Sequence, residues 1–178
     1  FFEIANATIL GNKKTLGKYI GDAVMSFWWA PVKHKNHATL ACKTALEIRE
    51  KLKKLNLIHA EKWLPELHLK FGINTGVVTV WSIWSELYSD YTVMWDNVNL
   101  ASRLEWINKY YKTYILLSES TKKMLDKHFI TREIDTIRVK WKHTPIKIYE
   151  LLGDEKDEAL LTLKRQHESG LKAYYKKN

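Results

Sequence analysis

Two polar residues near the middle of the chain, Asn99 and Arg103, have types and a spacing that suit phosphoryl chemistry. They are four positions apart in a segment with helical periodicity, so both project from the same side of one helix. This side is offset from the predicted apolar stripe, which consists of Val98, Ala101, Leu104 and Ile107. A fixed guanidinium can stabilise negative charge that develops on a phosphoryl group, and an amide one turn away can orient an attacking hydroxyl. For the pair taken alone, an ordinary solvated helix face is the alternative.

Two further groups could take part in the same chemistry. Asp22 follows Gly21 in a turn-forming pair, where a carboxylate beside a closely approaching backbone suits Mg²⁺, which prefers oxygen ligands. An exposed turn aspartate would give the same pattern, because Gly-Asp turns are common. Lys140 and Lys142 flank Trp141 after an apolar stretch, where ammonium groups could meet a polyphosphate or simply keep a sheet edge soluble.

The elements that must position these residues are predicted from the apolar pattern. Helices are predicted for residues 1–12, 36–57, 96–111, 118–127 and 159–176. Strands are predicted for residues 15–20, 23–29, 67–74, 77–83, 114–117, 130–139 and 146–152. We expect the first two strands to form a hairpin with Asp22 at its tip, and the next two to form a second hairpin. Hairpins mixed with helices, without strict βαβ alternation, predict an α+β fold in which helices cover one sheet.

Composition restricts the class of protein. The net charge of +9 would suit an anionic partner, but the lysines are spread along all 178 residues, which disfavours a nucleic-acid-binding patch. No apolar stretch approaches the roughly 18 residues that cross a bilayer. The single Cys42 lies among small apolar residues, so we expect a buried thiol, a reducing setting and a cytoplasmic domain. A membrane anchor elsewhere in the parent protein is compatible with this expectation.

Several stretches, taken together and in order, resemble the class III adenylate cyclases of bacteria. These stretches are residues 18–25, 72–76, 90–93, 96–105, 139–140 and 145–151. The resemblance covers nearly all of residues 1–152, and collinear motifs are far more specific than any one of them. It implies a ferredoxin-like α+β domain that works as a homodimer, with ATP and two Mg²⁺ or Mn²⁺ ions held at the subunit interface.

The resemblance also assigns roles to individual residues. Asp22 matches the second of two metal-binding aspartates, and Lys140 matches a lysine that contacts the phosphates. Lys18 and Thr92 match the positions that read the purine, where Lys and Thr suit adenine and guanylate cyclases usually carry Glu and Cys. Asn99 and Arg103 match the residues that orient the ribose and stabilise the transition state. The implied reaction is conversion of ATP to 3′,5′-cyclic AMP and pyrophosphate.

Two departures from the family pattern affect these expectations. The family's first metal-binding aspartate lies on an opening strand that would precede Phe1, so we expect an incomplete two-metal site and an inactive fragment. Tryptophan also stands at six positions where the family has glycine, and Trp63 is a further candidate for such a position. The six positions are Trp29, Trp81, Trp84, Trp95, Trp106 and Trp141, and at 81 or 84 we expect a tight turn. Our hypothesis is that UGA codons meaning glycine were translated as tryptophan.

Residues 1–152 are expected to form the catalytic domain, and residues 153–178 a linker and a final helix that could begin a further helical module. An upstream sensor or membrane domain is expected in the parent protein. The alternative to an enzyme is a non-catalytic cyclase-homology domain that serves dimerisation or regulation, although Lys18, Asp22, Thr92 and the other matched residues are all retained.

Overall fold

Helices and short strands follow one another along the described residues, which in this computed structural model are 2–11, 15–28, 32–85, 88–94, 96–139, 145–154 and 157–177. The helices are α1 (Phe2–Gly11), α2 (His37–Glu61), α3 (Asp96–Tyr111), α4 (Glu119–Lys123) and α5 (Glu158–Lys177). The strands are β1 (Thr15–Ile20), β2 (Ala23–Phe27), β3 (Phe71–Ile73), β4 (Thr79–Ser85), β5 (Tyr88–Met94), β6 (Ile115–Ser118), β7 (Phe129–Ile137) and β8 (Ile146–Asp154). The predicted mixture of helices and hairpins is therefore confirmed. No helix in these ranges is both long and apolar enough to span a bilayer.

The chain divides into two structural units. The first contains Phe1–Leu69 and Gly76–Asn99, and the second contains Lys70–Thr75 and Leu100–Asn178. The division falls inside α3, after its first turn. Each unit has its own set of strands and its own buried residues.

In the first unit, α2 buries one apolar stripe, and α1 packs against it. The buried residues of α2 recur with helical spacing and are Ala38, Ala41, Cys42, Thr44, Ala45, Ile48 and Leu52. Cys42 is fully buried, as predicted. The ammonium of Lys51 donates to the Thr8 hydroxyl at 2.8 Å, which joins the two helices through a polar contact. Strands β1 and β2 form the predicted hairpin, while β4 pairs antiparallel with β5.

In the second unit, a four-stranded sheet has the order β3-β6-β8-β7. Strands β3 and β6 are parallel, and the other neighbours are antiparallel. Leu100 and Leu104 of α3 pack with Leu116 and Ile148 of the sheet to form a buried core. Side chains alternate along a strand, so Lys147 and Tyr149 of β8 point away from this core, towards the face on which α5 lies.

Three predictions for the elements are wrong in detail. The second hairpin does not form, because β3 pairs with β6 and β4 pairs with β5. The strand predicted to begin at residue 67 begins at Phe71, and residues 64–70 are irregular. The Asn56 carboxamide donates to the Leu67 carbonyl at 2.9 Å and accepts from the Leu67 amide at 3.0 Å. The backbone of Leu67 is therefore hydrogen-bonded without a strand partner. Helix α4 ends at Lys123, earlier than predicted, although Ser118 caps it as expected.

The chain adopts a left-handed backbone conformation two residues after α2 ends. Trp63 has a φ of 56° and is 96% exposed. The Leu64 amide donates to the His59 carbonyl at 2.9 Å, and the Trp63 amide donates to the Ala60 carbonyl at 3.2 Å. This pair of bonds is a Schellman motif, whose left-handed position is usually glycine because a Cβ costs about 1–2 kcal/mol there. Position 63 therefore has the geometry of a glycine site.

Candidate active site

The β1–β2 hairpin positions two of the predicted site residues. Ile20 pairs with Ala23, so Gly21 and Asp22 form a two-residue turn, and Gly21 has a φ of 61°. A Cβ on Gly21 would meet nothing within 4 Å, so backbone conformation and not space makes glycine suitable there. Asp22 is exposed at the tip, while Lys18 is half-buried on β1.

Thr92 lies on β5, where its backbone is paired with that of Trp81 on β4. Strand β5 approaches β1, the strand that carries Lys18, within the first unit. The two residues that the resemblance assigns to the purine therefore lie on neighbouring strands. Both Trp81 and Trp84 lie within β4, so the tight turn expected at these positions is not found.

Helix α3 carries Asn99 and Arg103, and both are exposed. The buried residues of the helix are Leu100, Leu104 and Asn108. The predicted inner stripe of Val98, Ala101, Leu104 and Ile107 is therefore rotated, and only Leu104 of these four is fully buried. The polar pair faces out, as its spacing predicted, and one turn of helix separates its members.

A glycine lies against the first turn of α3 in the first unit. A Cβ on Gly76 would lie 2.4 Å from the Asn97 carboxamide carbon, and the Asn97 side chain donates to the Val77 carbonyl at 2.8 Å. A side chain at position 76 would have to displace the Asn97 carboxamide. The Gly76 segment therefore contacts the first turn of the helix, next to Asn99.

A second glycine contacts α3 in the second unit. A Cβ on Gly72 of β3 would lie 2.0 Å from the Ala101 carbonyl oxygen and 2.3 Å from the Glu105 amide nitrogen. The backbones of β3 and α3 thus approach closely at the turn that carries Arg103. Gly72 belongs to a stretch that resembles the family, but its packing role was not predicted, because close approach depends on a partner distant in sequence.

Asn108 is a further residue that the sequence analysis missed. It is fully buried, and its amide group donates to the Phe71 carbonyl at 3.0 Å and to the Leu104 carbonyl at 2.9 Å. Its carbonyl accepts from the Thr113 hydroxyl at 2.9 Å. The buried side-chain amide of Asn108 is therefore fully hydrogen-bonded, and it joins the helix to the start of β3. The available signal was an asparagine four residues after the core residue Leu104.

The end of α3 is held by a strong hydrogen bond. The Tyr111 hydroxyl donates to Asp135 Oδ2 of β7 at 2.5 Å. Burial, followed by this bond and the charge of Asp135, raises the pKa of Tyr111 to about 12. The phenol therefore stays protonated and remains a donor throughout the physiological range.

The remaining predicted site residues are a lysine and a metal ligand. Lys140 lies outside the described residues, as do Trp29, Trp95 and Trp141. Asp22 offers the oxygen donor that Mg²⁺ prefers. Within the described ranges, no group of three or more His, Cys, Asp or Glu side chains is arranged to hold an ion. The role of Asp22 as a metal ligand therefore stays a prediction.

Comparison with known proteins identifies the family. The profile of the adenylate and guanylate cyclase catalytic domain matches residues 9–153. Adenylate cyclase 1 of Rhizobium meliloti (strain 1021) is 35% identical over 153 residues, which cover 86% of this chain. The chain spans 23% of the length of that relative.

Solved structures show the same relationship at the level of the fold. The adenylyl cyclase CyaB from P. aeruginosa superposes with a TM-score of 0.74 and 28% identity, over 85% of this chain and 78% of the other. The dimeric guanylyl cyclase domain of the RhoGC fusion protein from Blastocladiella emersonii gives a TM-score of 0.70 and 26% identity, over 86% and 79% of the two chains. The predicted α+β cyclase fold is confirmed, and the chain belongs to the class III nucleotide cyclase catalytic domain family.

Proposed function

We propose that this chain is an adenylate cyclase domain that converts ATP to 3′,5′-cyclic AMP and pyrophosphate. The observation that carries the choice of ATP is the presence of Lys18 and Thr92 on the neighbouring strands β1 and β5. An ammonium donor and a hydroxyl suit the hydrogen-bonding edge of adenine, whereas the guanylate cyclases of the family usually carry Glu and Cys. The name of the Rhizobium relative agrees with this choice.

The exposed face of α3 carries the groups that would act on the reacting atoms. Asn99 orients the ribose so that its 3′-hydroxyl can attack the α-phosphorus in line. Arg103 donates hydrogen bonds to the phosphoryl oxygens as negative charge develops on them, and its fixed charge makes this interaction strongest in the transition state. Lys140 contacts the phosphates that leave as pyrophosphate.

Divalent ions and a second subunit complete the proposal. Two Mg²⁺ or Mn²⁺ ions, when bound, would activate the 3′-hydroxyl and neutralise phosphate charge, and Asp22 would hold them through its carboxylate. The site lies at the interface of a homodimer. One chain carries both the purine-reading residues and the residues of α3, so each dimer would contain two sites. The domain acts in cyclic-nucleotide signalling on the cytoplasmic side, under the control of an upstream sensor or membrane domain.

The test measures cyclic AMP formation by the full-length protein with ATP and Mn²⁺. Arg103→Ala is expected to reduce kcat at least roughly 100-fold, because a charged donor aimed at the transition state is lost. Lys109→Ala is the matched control, since Lys109 is also an exposed cation of α3 but is not one of the residues that match the family's site. Full activity of Arg103→Ala would contradict the residue assignment. No turnover of ATP or GTP by the unmodified protein would favour the non-catalytic regulatory module.

A further inference from the structure

A cleft of about 400 Å³ lies between α5 and the sheet face formed by β7 and β8, entirely within the second unit. We infer that it binds a small phosphate monoester with an apolar or aromatic body. None of the residues that line the cleft is one of the predicted site residues, and the inference does not rest on the proposed cyclase activity. Its volume is in the range that small-molecule sites usually have.

The charge of the cleft favours an anion with two negative charges. Four lysines and two glutamates line it, which leaves two positive charges in excess. Lys147 Nζ lies 3.0 Å from Glu133, so this pair is neutralised. The Lys164–Glu168 pair is longer, at 3.9 Å. Lysines from α4 and α5 thus add positive charge to one concave surface, which favours a bound anion.

The architecture of the cleft is held by a contact between α5 and β7. His167 of α5 makes a hydrogen bond of 2.7 Å with the carbonyl oxygen of Glu133. Leu160 of α5 also lies against Gly153 of β8, where a Cβ would come within 2.5 Å of the leucine side chain. These contacts fix the helix over the sheet, so the lysines that it carries are presented from a defined position.

Uncharged groups complete the site. Burial, followed by the charge of Glu133, raises the pKa of Tyr149, so its hydroxyl remains a donor at neutral pH. Thr131 is 2% exposed, and its hydroxyl has no hydrogen-bond partner among the described residues, a cost that a ligand oxygen would remove. Leu171 and Tyr175 of α5 provide an apolar wall.

These features together specify the ligand class. A phosphate monoester carries about 1.5 to 2 negative charges at neutral pH and has three strong acceptor oxygens. It therefore matches the excess positive charge, and its oxygens can accept hydrogen bonds from several donors of the cleft. The apolar wall formed by Leu171 and Tyr175 would contact the body of the molecule, so an organic phosphate should bind better than inorganic phosphate.

The test measures binding of phenyl phosphate to the 178-residue chain by calorimetry at constant ionic strength, with inorganic phosphate and phenol as comparison probes. We expect saturable binding of phenyl phosphate, weaker binding of inorganic phosphate and none of phenol. The double substitution Lys122→Ala/Lys172→Ala should weaken binding at least tenfold. Lys54→Ala/Lys62→Ala removes the same charge from exposed residues of the first unit and should leave the affinity unchanged.

Three results would overturn the inference. One is the absence of saturable binding, and another is an equal loss of affinity in the two double variants, which would mean adventitious ion binding only. The third is loss of phenyl phosphate binding in Arg103→Ala, which would place the probe on α3 instead of in the cleft. Thermal unfolding of each variant ensures that a loss of binding does not reflect a loss of folding.

Discussion

Gly72 of β3 packs directly against Ala101 of α3, and a Cβ at position 72 would lie 2.0 Å from the Ala101 carbonyl oxygen. The neighbouring Glu105 amide nitrogen would be 2.3 Å away. Because both contacts are with backbone, no side-chain rotation can relieve them. Arg103 lies on the helical turn between these two contacts, so its position depends on how closely the helix approaches the strand.

Gly72→Ala is therefore expected to displace this turn of α3. We expect the free energy of unfolding to fall by about 3 kcal/mol, since overpacking a tight contact usually costs 1–3 kcal/mol and here the contacts are with backbone. Cyclase activity of the folded variant should fall roughly 100-fold, because a displacement of about 1 Å has that effect on a catalytic group. Urea unfolding and cyclic AMP formation measure the two effects.

Gly170→Ala provides the matched control for this experiment. Gly170 lies in α5, and a Cβ there would meet nothing within 4 Å. The alanine should stabilise the helix by about 0.5–1 kcal/mol and leave activity unchanged. If Gly72→Ala behaved like Gly170→Ala, the close approach of β3 and α3 would not position Arg103.

The choice between ATP and GTP gives a second prediction. Lys18→Glu combined with Thr92→Cys introduces the residues that guanylate cyclases of the family usually carry. We expect kcat/KM for ATP to fall and that for GTP to rise, so that the ratio shifts at least roughly 100-fold, because buried donors and acceptors that lack partners discriminate strongly. Both products are measured in the full-length protein. An unchanged ratio in an active double variant would show that these strands do not read the purine.

The contrast between what the sequence predicted and what it missed has a physical basis. Asn99, Arg103 and Asp22 could be placed on exposed faces or turns because helical periodicity and turn chemistry are local. The pairing of β3 with β6 could not be predicted, since both strands are short and their hydrogen-bond partners are distant in sequence. The resemblance supplied Thr92 although β5 itself was not predicted as a strand.

Buried polar residues were the other class that local patterns missed. Asn108 occupies a core position of α3, where periodicity predicts an apolar side chain. Its burial is tolerated because Phe71 and Thr113 satisfy its amide and carbonyl groups. Those partners come from a preceding strand and a following loop, and only the folded arrangement brings all three together.

Stability at alkaline pH gives a third prediction, through Tyr111. The folded-state pKa of about 12 lies above the usual value of 10.0, so the stabilisation is fully present below about pH 10 and is lost as pH rises towards about 12. Tyr111→Phe should lower the free energy of unfolding by about 1 kcal/mol at neutral pH, because water partly screens the bond to Asp135. The difference from the unmodified protein should shrink above pH 10 in urea unfolding. Tyr114 is exposed, so Tyr114→Phe should have no such effect. If the difference in stability between Tyr111→Phe and the unmodified protein did not depend on pH, the raised pKa of Tyr111 would be contradicted.

The left-handed residue at the end of α2 gives a fourth prediction. Trp63→Gly should raise the free energy of unfolding by about 1 kcal/mol, because glycine adopts a φ of 56° without the steric cost of a Cβ. Trp63→Ala removes the same exposed indole but keeps the Cβ, so it should gain much less. Thermal unfolding of the two variants separates the effect of the backbone from that of the ring. Equal stability of the two would mean that the Schellman motif imposes no strain on Trp63.

The codons of the gene test why tryptophan occupies such a position. The chain has eight tryptophans and only seven glycines, and Trp63 shows the backbone geometry of a glycine site. The hypothesis that UGA codons meaning glycine were translated as tryptophan predicts UGA at codon 63 and at the six positions where the family carries glycine. It also predicts that mass spectrometry of the protein made in its own cells will find glycine at all seven positions.

Trp28, which is not among these positions, should be encoded by UGG and serves as the internal control. UGG at all eight codons would show that the tryptophans are genuine. An active cyclase would then have to accommodate the indoles beside its phosphate-binding residues. The alternative would be a domain without catalytic activity.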